Sequence, residues 1–173
     1  MLDLVARALL VVVFAGAVAG KLRSARAFGE FVDSVAVLAP AWLPARPAGA
    51  LVVTGEGVAA VLLLAPVTRL AGYALSVLLL AAFAVGIARV VHKGQRVRCA
   101  CFGGGGGELG RGHIVRNTLL VAAACTGALD GTAATAPGAL VALTAGALLG
   151  LVTVRWEDIA FLLHRPAPTG RNR

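Results

Sequence analysis

The sequence predicts an all-α, polytopic membrane protein, a four-helix core followed by a fifth C-terminal transmembrane helix. Three observations carry that expectation. Hydrophobic residues make up 59% of the 173-residue chain and charged ones only 14%, and the mean hydropathy is +0.88, outside the range of a soluble globular domain. The apolar residues fall in five runs of about 20, the length of a membrane-crossing helix. Lys, Arg and Pro gather at the ends of those runs and are rare inside them. The expected organisation is a core domain over residues 1–130, an added helix over 131–156 and a disordered basic tail over 157–173.

The first run extends from about Leu4 to Leu22 and is closed by Lys21 and Arg23. Its start is a weak match to a secretory leader, because Met1-Leu2-Asp3 carries little positive charge and no small-x-small cleavage site precedes Lys21, so a retained span is expected. Gly16, Gly20 and the residues between them are small enough to admit another helix backbone. From Ala27 to Leu43, Phe28, Phe31, Val32, Val35 and Leu38 recur at helical spacing, with Glu30, Asp33 and Ser34 on other faces. That pattern predicts an amphipathic helix that lies along the interface or folds over the bundle. Pro40, Pro44 and Pro47 end it, and Trp42 suits the headgroup level. The second run, 47–67, and the third, 70–91, are joined by so short a turn that they must form an antiparallel hairpin. The fourth run covers 113–129, with Arg116 and Asn117 near its start and Cys125 further in. The fifth covers 136–154 and leads into Trp156 and the proline-containing tail.

Five crossings put the amino terminus, the link after the second run and the link after the fourth on one side, with Arg7 and Arg69. The other side holds Lys21, Arg23, Arg26, Arg46, Arg89, Lys93, Arg96, Arg98, Arg111, Arg116, Arg155, Arg165, Arg171 and Arg173. Because Lys and Arg in short loops stay in the cytoplasm, this bias assigns the loop after the third run and the carboxy terminus to that compartment. The net charge of +8 does not point to nucleic acid, since the cations sit at the ends of apolar runs with no stripe of interleaved aromatics. The expected partner is the lipid bilayer.

Two features carry chemistry. Glu56, between Gly55 and Gly57, lies roughly nine residues into the second run, or about 13 Å deep. A carboxylate at that depth is costly unless it is paired, protonated or hydrated, and so marks a functional site. Lys21 and Arg116 are its candidate partners, and a structural ion pair fits them as well as a proton relay. The second feature is Cys99-Ala100-Cys101, within Arg96-Val97-Arg98-Cys99-Ala100-Cys101-Phe102-Gly103. Nearby positive charge favours the thiolate, the reactive and ligating form of cysteine. With one residue between them, the two sulfurs close only a small strained ring, which makes an oxidising disulfide able to exchange electrons with a partner thiol or a quinone. Two other readings stay open. With His113 or His92 the thiolates would offer soft metal ligands, although a fourth ligand is missing, or the cysteines are inert loop residues. The run Gly103–Gly107 lacks the Lys-Ser/Thr ending of a phosphate-binding loop and reads as a hinge. Cys125 reads as a small core residue, and three cysteines in all argue against a disulfide scaffold.

Gly20-Lys21-Leu22, the hairpin bearing Glu56, Cys99-Ala100-Cys101-Phe102-Gly103 followed by Arg111, and Val115-Arg116-Asn117 before an apolar run together resemble the methylamine utilisation protein MauE family, which belongs with DoxX-like, redox-associated membrane proteins. The resemblance covers roughly residues 4–129. It implies a four-helix membrane core needed to make or stabilise the small subunit of methylamine dehydrogenase, a subunit with many disulfides and a tryptophan-derived quinone. Members also occur without that dehydrogenase, so a general thiol-redox role is the broader implication. A periplasmic disulfide role would want Cys99 and Cys101 outside, whereas the charge bias puts them inside.

Two functions follow as expectations. In the first, Cys99 and Cys101 form the electron-carrying pair of a thiol-disulfide redox protein working with a thioredoxin-like or other redox partner. Glu56, Lys21 and Arg116 then form the polar centre. In the second, the chain is a non-enzymatic membrane assembly factor that docks a partner enzyme. A small-solute carrier is disfavoured, because five spans without a repeat give no alternating-access design.

Overall fold

A computed structural model describes residues 1–40, 42–94, 111–131 and 135–155, with only the backbone of Arg111 included. These residues form six helices and, among them, no strand: α1 (Leu2–Leu22), α2 (Ala25–Leu38), α3 (Ala45–Leu64), α4 (Arg69–His92), α5 (Arg111–Leu129) and α6 (Ala136–Val154). Four of them, α1, α3, α4 and α6, are long and apolar enough to cross a membrane. The polar start of α5, with Arg111, His113, Arg116 and Asn117, keeps it below that level. Of the five expected crossings, four therefore have the length and composition required, the C-terminal helix among them.

Local chemistry sets the helix ends. Ser24, in extended conformation, accepts a hydrogen bond from the Ala27 N–H at 3.1 Å and so caps the start of α2. Pro40 forces Ala39 out of the helical region (ψ 157°), and Pro66 does the same to Ala65 (ψ 132°). α4 stops at Gly94, whose φ of 66° suits a residue without a Cβ.

α1 is the central helix. α2, α3, α5 and α6 pack on it, while α4 closes the bundle between α3 and α5. Leu10, Val13, Phe14, Ala59, Leu63, Tyr73, Leu80, Leu120 and Ala124 build the main core between α1, α3, α4 and α5. α6 presents only Ala142, Gly146 and Gly150 as buried residues. These small residues recur every fourth position, which lets two helix backbones approach closely. A Cβ on Gly146 would collide with the Val5 carbonyl and Ala8, and one on Gly150 would lie 2.8 Å from Val12 Cβ. Outward-facing hydroxyls return to their own helices: Thr118 donates to the Ile114 carbonyl and Thr144 to that of Leu140, each at 2.9 Å. In lipid no water would satisfy them.

Polar contacts fix which helix ends lie together. Asp3 Oδ1 accepts from Arg69 Nη1 at 3.1 Å and from the Tyr73 hydroxyl at 3.0 Å. Asp130 Oδ2 accepts from the Met1 amino group at 2.8 Å and from the Asp3 N–H at 3.0 Å. Arg7 caps α3 by donating to the Leu63 and Leu64 carbonyls, each at 2.6 Å. The start of α1, the end of α3, the start of α4 and the end of α5 thus meet at one end of the bundle, the network end. The end of α1, the start of α3, the end of α4 and the start of α5 lie at the other, the loop end.

Candidate functional site

Glu56 is eleven residues from Ala45 and eight from Leu64, near the middle of a helix about 30 Å long. Lys21 is the penultimate residue of α1. Side chains on a helix lean toward its own N-terminus. Because α1 and α3 are antiparallel, Lys21 leans away from the loop end while Glu56 leans toward it, and the two meet inside the bundle. Lys21 Nζ donates to both carboxylate oxygens, at 2.6 and 2.7 Å, with Lys21 at 0% and Glu56 at 4% exposure.

Aromatic faces complete the enclosure. Lys21 Nζ lies 4.6 Å from the centre of the Phe31 ring and 5.8 Å from that of Phe83, within range of attraction between a cation and a ring face. Phe31 belongs to α2 and is buried with Ala27, Ser34 and Val35 on the helix face turned inward. Of the two placements expected for this amphipathic helix, the one folded over the bundle is seen, with Phe31 over the ion pair. Its Phe31 and Val35 pack with Ala48 and Val53 of α3, and Gly49 offers no Cβ at the point where Phe31 and Val32 come closest.

Beside the pair is a cavity of about 30 Å³, lined among others by Lys21, Glu56, Phe83, Arg116 and Asn117. Its walls are mostly apolar, with Lys21, Glu56, Arg116 and Asn117 as the polar groups, and its size suits one or two water molecules.

The structure thus brings Lys21, Glu56 and Arg116 to one cavity. Cys99 and Cys101 lie outside the described residues, as do Arg96, Arg98, the glycine run, Trp156, His164 and the tail. The segment that holds both cysteines joins the end of α4 to the start of α5, and both of these are at the loop end. One expectation needs correction. Cys125 is not a core residue but is exposed on the outer face of α5, because Leu120 and Ala124 are the residues that turn inward. Among the described residues no group of His, Cys, Asp and Glu is arranged to hold a metal ion.

Sequence reasoning missed Phe31 and Phe83 as walls of the site and Asn117 as a lining group. Asn117, at 4% exposure, is signalled by its place beside Arg116 where the polar start of α5 gives way to its apolar run. Phe31 is signalled by its spacing of four with Ala27 and Val35, which marks one helix face.

Chemically, the arrangement is a buried ion pair with two aromatic faces over its ammonium and a small cavity at its side. It holds opposite charges within the depth of the bundle and ties α1 to α3 under the cover of Phe31 on α2, while the start of α5 lines the cavity. Searches against curated proteins and against solved structures give no match. A family model described as methylamine utilisation protein MauE matches residues 1–130. That stretch contains α1 to α5, the polar centre and the Cys-x-Cys segment, and leaves out α6. With 130 of its 173 residues matched, the chain belongs to the methylamine utilisation protein MauE family.

Proposed function

We propose that this membrane protein carries out thiol-disulfide exchange in the maturation of a partner enzyme, with Cys99 and Cys101 as the working pair. The observation that carries the reading is a juxtaposition. The two helix ends that flank the cysteine segment in sequence, the end of α4 and the start of α5, lie at the loop end, and Arg116, five residues into α5, lines the cavity of the Lys21–Glu56 pair. Membership of the family supports it as well. In the exchange, a thiolate of one protein attacks the disulfide of the other and forms a mixed disulfide. The second thiolate on the attacking protein then resolves it. Two electrons and two protons pass from the dithiol to the disulfide, and the relative reduction potentials set the direction. In this account Arg96, Arg98 and Arg116 favour the thiolate, Lys21 and Glu56 hold the bundle beneath the loop, and a thioredoxin-like protein is the exchange partner.

Two finer points belong to the same proposal. α5 is read as a fifth crossing, because it runs alongside α4 from the loop end until Asp130 reaches Met1 at the network end. The loop end is read as cytoplasmic from the Lys and Arg bias.

The second reading, a non-enzymatic assembly factor, is favoured by one observation. Lys21 is wholly buried and bonded to both oxygens of Glu56, as a structural fastener would be. One comparison separates the two readings. Under thiol exchange, Cys99→Ser with Cys101→Ser abolishes maturation of the partner enzyme while the protein still inserts. If that double variant supports normal maturation while Glu56→Gln or Arg116→Ala stops it, the assembly reading replaces the redox one.

A further inference from the structure

We propose that the loop end is a binding surface for anionic phospholipid headgroups. Arg23 follows α1, Arg26 stands in the first turn of α2, Arg46 in the first turn of α3, and Arg89 and Lys93 close α4. All five side chains are exposed. The described carboxylates at that end, apart from the buried Glu56, are Glu30 and Asp33 on α2, and Glu30 is engaged by Arg26 at 3.0 Å. The network end is different in kind. There Arg7 and Arg69 are directed to Asp3 and to main-chain carbonyls, and Asp130 takes the amino terminus. Among the described residues, an excess of outward-facing cations is therefore a property of one end only.

The surroundings of these cations indicate lipid in preference to an acidic protein. Leu22, at 58% exposure, precedes Arg23, while Trp42, at 80%, and Leu43, at 36%, precede Arg46. Exposed apolar side chains next to cations at the ends of spanning helices match the boundary of a bilayer, where Trp sits at headgroup level and Arg and Lys reach the phosphates. Arg offers a planar fork that fits phosphate oxygens in pairs. Because the five cations are spread over four helices, they meet several headgroups around the bundle. This inference is independent of the thiol chemistry proposed above.

The chain has two tryptophans, so Trp156→Phe leaves Trp42 as the single tryptophan fluorophore, at the loop end. The full-length W156F protein is reconstituted into phosphatidylcholine vesicles containing equal fractions of either brominated phosphatidylcholine or brominated phosphatidylglycerol. The surface proposed here predicts stronger quenching of Trp42 by the brominated anionic lipid, with a relative association constant several-fold above one. That preference falls toward one in high salt, and in Arg23→Gln, Arg46→Gln, Arg89→Gln and Lys93→Gln combined. Equal quenching by the two lipids at low salt overturns the proposal and leaves the cations to a soluble acidic partner. A preference that survives both salt and the combined substitutions overturns it too. The salt series needs no charge variant, so a combined variant that fails to insert leaves the test intact.

Discussion

Replacing Lys21 by Met removes the ammonium that is bonded to both oxygens of Glu56, at 2.6 and 2.7 Å, in a site where the two side chains are 1% and 5% exposed. The carboxylate is then left in a low-dielectric interior without that partner. Breaking a buried pair from one side costs about 3–5 kcal/mol, and loss of the ammonium over Phe31 adds roughly 0.5–2 kcal/mol. Glu56→Gln leaves the ammonium stranded in the same way. The combined Lys21→Met and Glu56→Gln protein buries no charge at the pair, so it is expected to be more stable than either single variant. The assay is reversible unfolding in mixed micelles for all four proteins, read as a double-mutant cycle. Two results would refute the reasoning: single variants as stable as the parent, or a double variant that loses the sum of the two single losses.

Three further outcomes are expected. Gly146→Leu forces a side chain into the Val5 carbonyl and Ala8, so it separates α6 from α1 and lowers the unfolding free energy by about 1–3 kcal/mol, whereas the control Leu148→Ala, at an outward-facing position 63% exposed, changes it little. Tyr73→Phe removes the hydroxyl that donates to the Asp3 carboxylate at 3.0 Å and costs about 1.5–3 kcal/mol in the same measurement. For sidedness, a membrane-impermeant maleimide added to intact cells leaves Cys99 unlabelled, and ready labelling from outside reverses the orientation.

Helix positions were legible because apolar runs end at Lys, Arg and Pro, residues with a direct physical effect on where a span stops. The amphipathic character of α2 followed from the spacing of Phe31, Val35 and Leu38. The orientation of helices about their own axes was not legible. In a membrane protein both the inward and the lipid-facing sides are apolar, so hydropathy does not separate them. That is why the sequence points Cys125 inward although it is exposed, and why Gly146 and Gly150 do not stand out as the seam between α1 and α6. In the site, Glu56 and Lys21 stood out because charge within an apolar run needs a partner. Phe31 and Phe83 did not, since a phenyl ring over an ammonium has the same sequence signature as one facing acyl chains.

The central claim is that the two sulfurs after α4 exchange electrons with a partner protein. Its most direct test is trapping of the mixed disulfide. With Cys101→Ser, Cys99 has no neighbour to resolve the intermediate, so acid-quenched cells alkylated with maleimide should yield a reducible covalent adduct between this chain and a second protein. The adduct should be absent from Cys99→Ser with Cys101→Ser. An unmodified, fully reduced Cys99 with no adduct, in cells where the partner enzyme matures normally, would contradict the claim.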